Sequence, residues 1–374
     1  MADDSSPRSP RPGGIRATGR RRRPPGRARK ALTVTVWSVT GLALLGGAGL
    51  GYVYLQLDGN LKGVDINSAL GTNRPDDTDN GSMDILLMGS DSRQGEGNSQ
   101  YGDDDGTARS DTAMVLHVYK GHKKASVVSI PRDTMVSRPE CQRTGDGNGT
   151  APAVERAMFN ESYEIGGPAC AVKTVEKMSG VRMDHYLEID FSGFKNLIDE
   201  LGGVPVTTTQ AIKDKQSKLD LRPGTHHLDG EQALGLVRTR HAVGDGSDLG
   251  RIQLQQAFVK ALISQVRSVD LFGSPHKLYG LADAATRAVT TDSELASVNK
   301  LLDFSKSLRN IGSNDVEMVT LPVEYDKRDP NRVAPMAEKC DQLWTALRHG
   351  LPIPQSVTQG TASEQADTSG VVKS

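Results

Sequence analysis

The chain has 374 residues, a formal net charge of −1 and only 4% aromatic residues, and its charge is unevenly distributed. Residues 1–30 hold ten Lys or Arg and two acidic residues, so a basic arm precedes a mildly acidic remainder. That remainder lacks the clustered positive charge and the aromatic platforms that general nucleic-acid binding requires, so we expect no nucleic-acid partner. Three cysteines without a CxxC spacing also exclude a structural zinc cluster and a thioredoxin-like site.

The N-terminal segment predicts a membrane anchor. Residues 1–30 are rich in Pro, Gly and Arg, a composition typical of disorder, and residues 31–57 follow without a charged side chain. A helix of that length spans roughly 40 Å, more than the ~30 Å hydrocarbon core, whereas a signal peptide has an apolar stretch of only ~7–15 residues. We therefore predict one transmembrane helix over residues 31–57, with the basic arm in the cytoplasm and everything after Leu57 outside the cell membrane.

The remainder predicts one globular domain over residues 83–355, between a polar stalk (58–82) and a disordered tail (356–374). Short apolar runs predict buried strands at Ile85–Met88, Thr112–Tyr119, Ala125–Ile130, His185–Ile189, Val204–Thr208 and Val316–Leu321. Helical patterns lie near residues 151–165, 168–179, 191–201, 229–237, 249–268 and 292–309. This alternation predicts an α/β fold with three α/β/α layers, one sheet between helices.

Charged residues cluster beside strand ends or turns at four places, and ligands gather at strand ends in α/β sheets. They are Asp91 and Arg93 in DILLMGSDSR, Arg109 and Asp111 in RSDTAMVLHV, Arg132 and Asp133 in SIPRDT, and Arg238, Arg240, Asp245, Asp248, Arg251 and Gln255 in the segment from Leu228 to Gln256. Arginine forks suit phosphate oxygens, and aspartates suit Mg²⁺. Together they predict a Mg²⁺–polyphosphate site. The competing interpretation is a set of surface ion pairs, each contributing about 0–1 kcal/mol.

Other catalytic motifs are absent from the sequence. There is no GxxxxGK[ST] phosphate loop and no HExxH zinc motif. The segment GSDSR ends in Arg93 and lacks the second glycine of a GxSxG nucleophile elbow.

The four clusters resemble the LytR-CpsA-Psr family of bacterial cell-wall enzymes. The resemblance is close over residues 84–265, where it includes DILLMGSDSR, RSDTAMVLHV, SIPRDT, NESYEIGG and HHLDGEQALGLVRTRHAVGDGSDLGRIQLQQ, and it is looser over residues 266–350. The Arg-rich basic arm, the single anchor and the sequence GDGSDLGR are similar to those of actinobacterial members. The resemblance implies an anchored enzyme that takes a glycopolymer from a polyprenyl-pyrophosphate carrier. Such an enzyme transfers the glycopolymer, with one phosphate, to a hydroxyl of peptidoglycan and releases polyprenyl phosphate.

The resemblance also implies a role for each charged residue. Asp91 and Asp111 would position Mg²⁺ (or Mn²⁺), and an apolar tunnel between sheet and helices would hold the lipid, although its lining cannot be told from a core by sequence. The residues implied to hold the pyrophosphate are Arg109, Arg132, Arg238, Arg240 and Arg251. Those implied to support the same network are Arg93, Asp133, Asp248 and Gln255. Either Asp245 or Asp248 matches the aspartate that the family has in this segment. We favour Asp248 because it directly precedes Leu249-Gly250-Arg251.

Two other functions are consistent with the same predicted site and anchor. One is a polyprenyl-pyrophosphate-binding protein or pyrophosphatase without glycan transfer, since the same site would serve water as the acceptor. The other is a non-enzymatic envelope regulator, but a cytoplasmic arm of 30 residues is too short for a helix-turn-helix. The general base, the acceptor position and the glycopolymer stay open.

Two local predictions can be compared with a structure. Arg238 and Arg240 share a face only if the chain is extended between them, so the helix from Asp229 should end near Val237. Cys141 and Cys170 should be bonded, because disulfides persist outside the cytoplasm and the bond would tie the loop after Arg132 to the body. Cys340 would then be the free thiol.

Overall fold

The computed structural model describes residues 48–78, 80–90, 110–144, 149–240, 248–269, 274–366 and 370–373. The chain divides into two compact units, residues 1–53 and 54–374, and the described part of the first is helical. Residues 31–47 of the predicted transmembrane helix lie outside the described ranges. Among the residues that are described, none of the helices has both the length and the apolar character needed to cross a bilayer.

The described residues alternate strands and helices. The helices are, in chain order, α1 (48–60), α2 (Asn67–Leu70), α3 (Phe159–Ser179), α4 (Phe191–Glu200), α5 (Gly230–Arg238), α6 (Asp248–Ser268), α7 (Pro275–Ala288), α8 (Val298–Leu308), α9 (Ala337–Arg348) and α10 (Ala362–Gln365). The strands are β1 (Lys62–Val64), β2 (Met83–Ser90), β3 (Ser110–Val118), β4 (Ala125–Ile130), β5 (Met135–Arg138), β6 (Cys141–Gln142), β7 (Thr150–Ala151), β8 (Val154–Met158), β9 (His185–Asp190), β10 (Val204–Thr208), β11 (Ile212–Asp214), β12 (Leu219–Leu221), β13 (Gly224–Leu228), β14 (Val289–Asp292), β15 (Val316–Thr320), β16 (Val323–Tyr325), β17 (Val333–Pro335) and β18 (Val372–Lys373).

A mixed seven-stranded sheet forms the centre, in the order β1-β14-β9-β2-β3-β4-β15. Strands β2 and β9 are parallel, whereas β3 is antiparallel to both β2 and β4. The strands therefore begin and end at two opposite edges of the sheet. We call them the Ser90 edge, where β2, β4 and β9 end and β3 begins, and the Asp84 edge, where β2 and β9 begin and β3 ends.

Both faces of the sheet are covered by helices. Side chains alternate along each strand, so each strand places apolar residues on both faces. Leu86, Val115 and Val128 face one apolar cluster, which contains residues of α3 and α9. Their neighbours Ile85, Met114 and Val127 face the other, against which residues of α8 pack. A further cluster joins α4, α5 and α6 to the antiparallel pair of β10 and β13. The arrangement confirms the predicted α/β class.

The six predicted strands are confirmed, but the predicted helix over residues 151–165 is wrong in its first half. Residues 154–158 instead form β8, which pairs with β5 in antiparallel register. Helix α3 begins only at Phe159, and it is broken at Gly166 and Gly167. Gly167 has φ 58°, a backbone conformation that favours glycine, so the break is local in origin. Helix α7 and strand β14 were not predicted.

The predicted stalk and disordered tail both differ from the structure. Residues 62–64 of the stalk form β1, which pairs in parallel with β14 at one side of the central sheet. In the tail, Val372 pairs with Thr208 of β10, and Val357 and Ala362 are buried. A segment low in apolar residues is held here by a few buried side chains and by strand pairing, neither of which its composition signals.

Candidate functional site

The Ser90 edge brings three of the four predicted clusters together. Asp111 is the second residue of β3, and Arg132 follows the end of β4 by two residues. Arg238 ends α5, and Thr239 then has φ −61° and ψ 131°, which is extended, so the helix ends within one residue of the predicted position. Arg240 follows, and α6 begins with Asp248 and carries Arg251 in its first turn.

Arg132 is the centre of an arginine–carboxylate network. Its Nη1 donates to Oδ1 of Asp111 at 2.6 Å. Its Nε lies 3.7 Å from Oδ2 of Asp133 and 3.5 Å from Oδ1 of Asp248. Arg240 approaches the same Asp111 oxygen, with 3.6 Å between Nη2 and Oδ1. Residues from β3, the β4–β5 turn, the segment after α5 and α6 therefore meet at one point.

Arg251 and Asp248 are buried beside this centre. Arg251 is only 2% exposed, donates from Nη2 to the backbone oxygen of Asp111 at 2.9 Å and forms an ion pair with Asp248. Despite these contacts, the Nε atoms of Arg132 and Arg251 and both carboxylate oxygens of Asp248 are buried without a hydrogen bond from any described residue. Buried polar atoms are normally hydrogen-bonded, so this network has hydrogen-bonding capacity left over.

The charges in this network act on one another. Burial raises the pKa of Asp111, but the positive charges of Arg251, Arg132 and Arg240 outweigh it, so the pKa is lowered overall. Burial raises the pKa of Asp248, and neighbouring arginines offset only part of that effect. Burial lowers the pKa of Arg240, and the charges of Arg251 and Arg132 lower it further. An excess of positive charge thus remains for an anion.

A polar cleft of about 230 Å³ opens beside the network. Arg238, Arg240 and Arg251 line it together with Asp111 and Gln255. Gln255 donates from Nε2 to the hydroxyl oxygen of Thr112 and to the backbone oxygen of Val237, both at 3.0 Å. The guanidinium of Arg238 lies 4.8 Å from the centre of the Phe191 ring, a cation–π distance. Three arginines lining one cleft fit a phosphate-bearing ligand.

An apolar cavity of about 230 Å³ adjoins the polar cleft, and its lining is the main feature that sequence reasoning missed. The two share four lining residues, Thr112, Phe191, Val237 and Gln255. Beyond these, the apolar cavity runs between the sheet and the helices α4, α5 and α6. The side chains that line its apolar part include Leu87, Met114, Ile189, Phe194, Leu197, Leu234, Phe258, Val259 and Leu262. Such residues are indistinguishable from core in a sequence.

Four predicted site residues lie outside the described residues: Asp91, Arg93, Arg109 and Asp245. Within the described ranges, no group of three His, Cys, Asp or Glu side chains could hold a metal. Mg²⁺, however, is usually held by one or two carboxylates together with ligand phosphates. Asp111, whose pKa is lowered, provides a carboxylate of this kind. The donor set fits a cation that arrives with a phosphate.

The predicted disulfide is confirmed. Cys141 and Cys170 are bonded, with their Cα atoms 5.5 Å apart, and Cys340 is free and buried. The bond joins β6 to α3. The bond closes a loop of residues 141–170. This loop follows the β4–β5 turn, and Arg132 lies in that turn.

The chain is similar to known proteins in sequence and in fold. It is 32% identical over 302 residues to the cell wall biosynthesis protein LcpA of Corynebacterium glutamicum, covering 74% of this chain and 57% of that protein. It is 30% identical over 304 residues to the polyisoprenyl-teichoic acid–peptidoglycan teichoic acid transferase TagT of Bacillus subtilis, covering 78% and 87%. The crystal structure of B. subtilis TagV matches with a TM-score of 0.55 at 25% identity, covering 73% of this chain and 98% of TagV.

The chain spans about 60% of the length of the two Corynebacterium relatives that it matches. Residues 53–349, most of the chain, match the model of the LytR_cpsA_psr family. That range contains the sheet, the arginine–carboxylate network and both cavities. The chain belongs to the LytR-CpsA-Psr family.

Proposed function

We propose that this protein is a phosphotransferase that moves a glycopolymer from a polyprenyl-pyrophosphate carrier to a hydroxyl of peptidoglycan. The reaction forms a phosphodiester link and releases polyprenyl phosphate. The observation that carries the proposal is the direct junction of an arginine-lined cleft with an apolar cavity. A lipid pyrophosphate likewise consists of an anionic group joined directly to an apolar chain, so the cleft would hold the first and the cavity the second. The kinship with TagT, named as a teichoic acid transferase, supports the reaction type.

The residues act mainly by holding charge in place. The acceptor oxygen bonds to the glycan-bearing phosphorus, the bond from that phosphorus to the bridging oxygen breaks, and the hydroxyl proton passes to solvent. Phosphoryl transfer needs its phosphorus held in line and its spreading negative charge matched by fixed positive charge. Arg132 and Arg251 have buried Nε atoms without hydrogen bonds, so each keeps one donor that a phosphate oxygen can use. Arg238 and Arg240 also line the cleft.

The site is proposed to use Mg²⁺ (or Mn²⁺), held by Asp111 and by Asp91 of the preceding cluster. A bound divalent cation neutralises phosphate charge and polarises the phosphorus–oxygen bond. The lowered pKa of Asp111 keeps this carboxylate ionised at neutral pH, as a metal ligand must be. Asp248, buried between Arg132 and Arg251, fixes the two guanidinium groups that face the phosphate.

The protein is further proposed to be a single-pass protein of the cell membrane, with residues 1–30 in the cytoplasm and the second unit outside. Support comes from the uncharged stretch over residues 31–57 and from the basic arm before it. The disulfide between Cys141 and Cys170 supports an oxidising location for the folded unit. The lipid carrier would then reach the apolar cavity from the membrane.

One experiment separates transfer from hydrolysis. The full chain in detergent is mixed with a lipid-linked oligosaccharide, Mg²⁺ and soluble peptidoglycan fragments, and the products are resolved by mass spectrometry. A covalent oligosaccharide–phosphate–peptidoglycan product supports the proposal. Free phosphorylated oligosaccharide alone would identify a pyrophosphatase, and an unchanged donor would identify a binding protein or a regulator.

A further inference from the structure

A separate cavity of about 290 Å³ lies beside Arg132 and shares no lining residue with the polar cleft. We call it the Arg332 cavity. Its lining residues are Arg132, Asp133, Met158, Asn160, Glu164 and Arg332. None of them lines the polar cleft or the apolar cavity. The Arg332 cavity therefore meets the arginine–carboxylate network at two side chains, those of Arg132 and Asp133.

Arg132 lines the Arg332 cavity and contacts a residue of the polar cleft. Its Nη1 contacts Asp111, which lines the polar cleft, and its Nε lies 3.7 Å from Asp133, which lines the Arg332 cavity. The backbone of Asn160 is tied to the same turn, because its N–H donates to the backbone oxygen of Arg132 at 3.1 Å. Asn160 therefore has a fixed position relative to the arginine that faces the phosphate.

The polar groups of the Arg332 cavity are suited to a sugar. Oδ1 of Asn160 is buried and accepts no hydrogen bond from the described residues. An unpaired amide oxygen requires a donor, such as a hydroxyl or an N-acetyl N–H. Nη1 of Arg332 lies 3.3 Å from Oδ1 of Asp133, and Nε of Arg132 lies near Oδ2 of the same carboxylate. The two arginines together fix the orientation of the Asp133 carboxylate. Met158 adds an apolar surface of the kind on which a sugar ring packs.

Geometry then assigns an occupant. In phosphoryl transfer the attacking and leaving oxygens lie roughly in line, on opposite sides of the phosphorus. The leaving group of the proposed reaction is a lipid phosphate, whose chain continues into the apolar cavity beyond the polar cleft. The acceptor must therefore approach from a position away from the apolar cavity, and the Arg332 cavity, which shares no lining residue with the apolar cavity, is such a position next to Arg132.

We propose that the Arg332 cavity binds the acceptor sugar of the peptidoglycan strand, with Asn160 and Asp133 accepting its hydrogen bonds and Arg332 positioning Asp133. This inference rests on the proposed function and adds to it a binding site for the second substrate. Arg332 lies in the loop between β16 and β17, outside every cluster that sequence analysis selected.

The test separates acceptor binding from donor binding, using full-chain protein in detergent. Arg332→Ala and Asn160→Ala are compared with wild type and with Arg328→Ala, which removes an arginine from the same loop without touching the cavity. Binding of soluble peptidoglycan fragments and of a fluorescent lipid pyrophosphate is measured directly, along with KM for each substrate in the transfer reaction. Thermal melting checks that each variant is folded.

The expected result is a roughly tenfold weaker binding and higher KM for the peptidoglycan fragment in both variants, the effect of losing one hydrogen-bonding group. Donor binding should be unchanged, and Arg328→Ala should match wild type. Unchanged fragment binding in both variants, or weakened donor binding instead, overturns the proposal. If wild type binds fragments through Arg332 and Asn160 yet forms no transfer product, the acceptor site stands and the proposed reaction fails. If wild type transfers while neither variant changes fragment binding or KM, only the acceptor site fails.

Discussion

The two edges of the central sheet use the same residue types in different ways. At the Asp84 edge, Arg74 donates from Nε to Glu176 at 3.1 Å, and the backbone N–H of Met183 donates to the same carboxylate at 3.0 Å. At the Ser90 edge, Arg132 and Arg251 lie beside Asp248, but its carboxylate oxygens accept no hydrogen bond from the described residues.

The difference shows how a structural ion pair can be told from a ligand site. A buried pair that hydrogen-bonds well stabilises one arrangement of the chain, and removing one partner leaves an uncompensated charge. A buried network whose atoms are close but lack hydrogen bonds has bonding capacity left over, which a phosphate and a cation can use. The four predictions below test this contrast, from the largest expected effect to the smallest.

Arg132→Ala should reduce the rate of transfer roughly 100- to 1,000-fold, as expected for a group that stabilises the charge of a transition state. Arg132→Lys should restore little of that activity, because an ammonium group lacks the planar fork that contacts two oxygens. The measurement is kcat with saturating donor and Mg²⁺, and thermal melting should show that both variants are folded. Near-full activity of Arg132→Ala would remove Arg132 from the site.

Replacing both Cys141 and Cys170 by Ser should lower the free energy of unfolding by about 3–4 kcal/mol, from the loop-entropy model applied to the 29-residue separation of the bonded cysteines. Urea unfolding of the variant and of the wild type, without reductant, gives the comparison. Cys340→Ser is the matched control for the loss of a buried thiol. A double variant as stable as wild type would show that the bond contributes nothing to the fold.

Arg74→Met should lower the free energy of unfolding by about 3 kcal/mol, because it leaves Glu176 buried without its cation. Activity per folded molecule should stay close to that of wild type, since the pair lies at the Asp84 edge. Urea unfolding and kcat on the same preparation test both statements. A loss of activity without a loss of stability would erase the contrast between the edges.

The pH dependence of stability should report on His185 and Asp292, an ion pair at the Asp84 edge with 3.1 Å between Nδ1 and Oδ2. Burial lowers the pKa of His185, but the hydrogen bond and charge of Asp292 outweigh it, so the pKa is raised above its ordinary value. The stabilisation is therefore complete below about pH 6.5, the value in an unfolded chain, and is lost as the pH rises through the higher folded value.

The variant His185→Gln isolates this contribution, because glutamine can keep a hydrogen bond to Asp292 but does not titrate. Between pH 6 and pH 8 the melting temperature of wild type should fall by more than that of the variant, by a degree or two. Parallel curves for the two proteins would contradict the raised pKa of His185.

The sequence by itself determined the features that depend on neighbours along the chain. Apolar runs with charged residues at their ends located the six strands and three of the edge clusters. The extended dipeptide after α5, required for Arg238 and Arg240 to share a face, was also predictable because helix capping is local. The family resemblance supplied the roles that were assigned to these residues.

Only the tertiary structure decided the features that depend on distant segments. Val372 pairs with β10, and residues 62–64 join the sheet, although both segments read as polar linkers. The residues of the apolar cavity differ from core residues only in what fails to pack against them, which no sequence pattern records. Arg332 reaches Asp133 across almost 200 residues because a hairpin folds back onto the β4–β5 turn. Burial, cavities and the alignment of hydrogen bonds are properties of packing, and packing is specified by the whole chain at once.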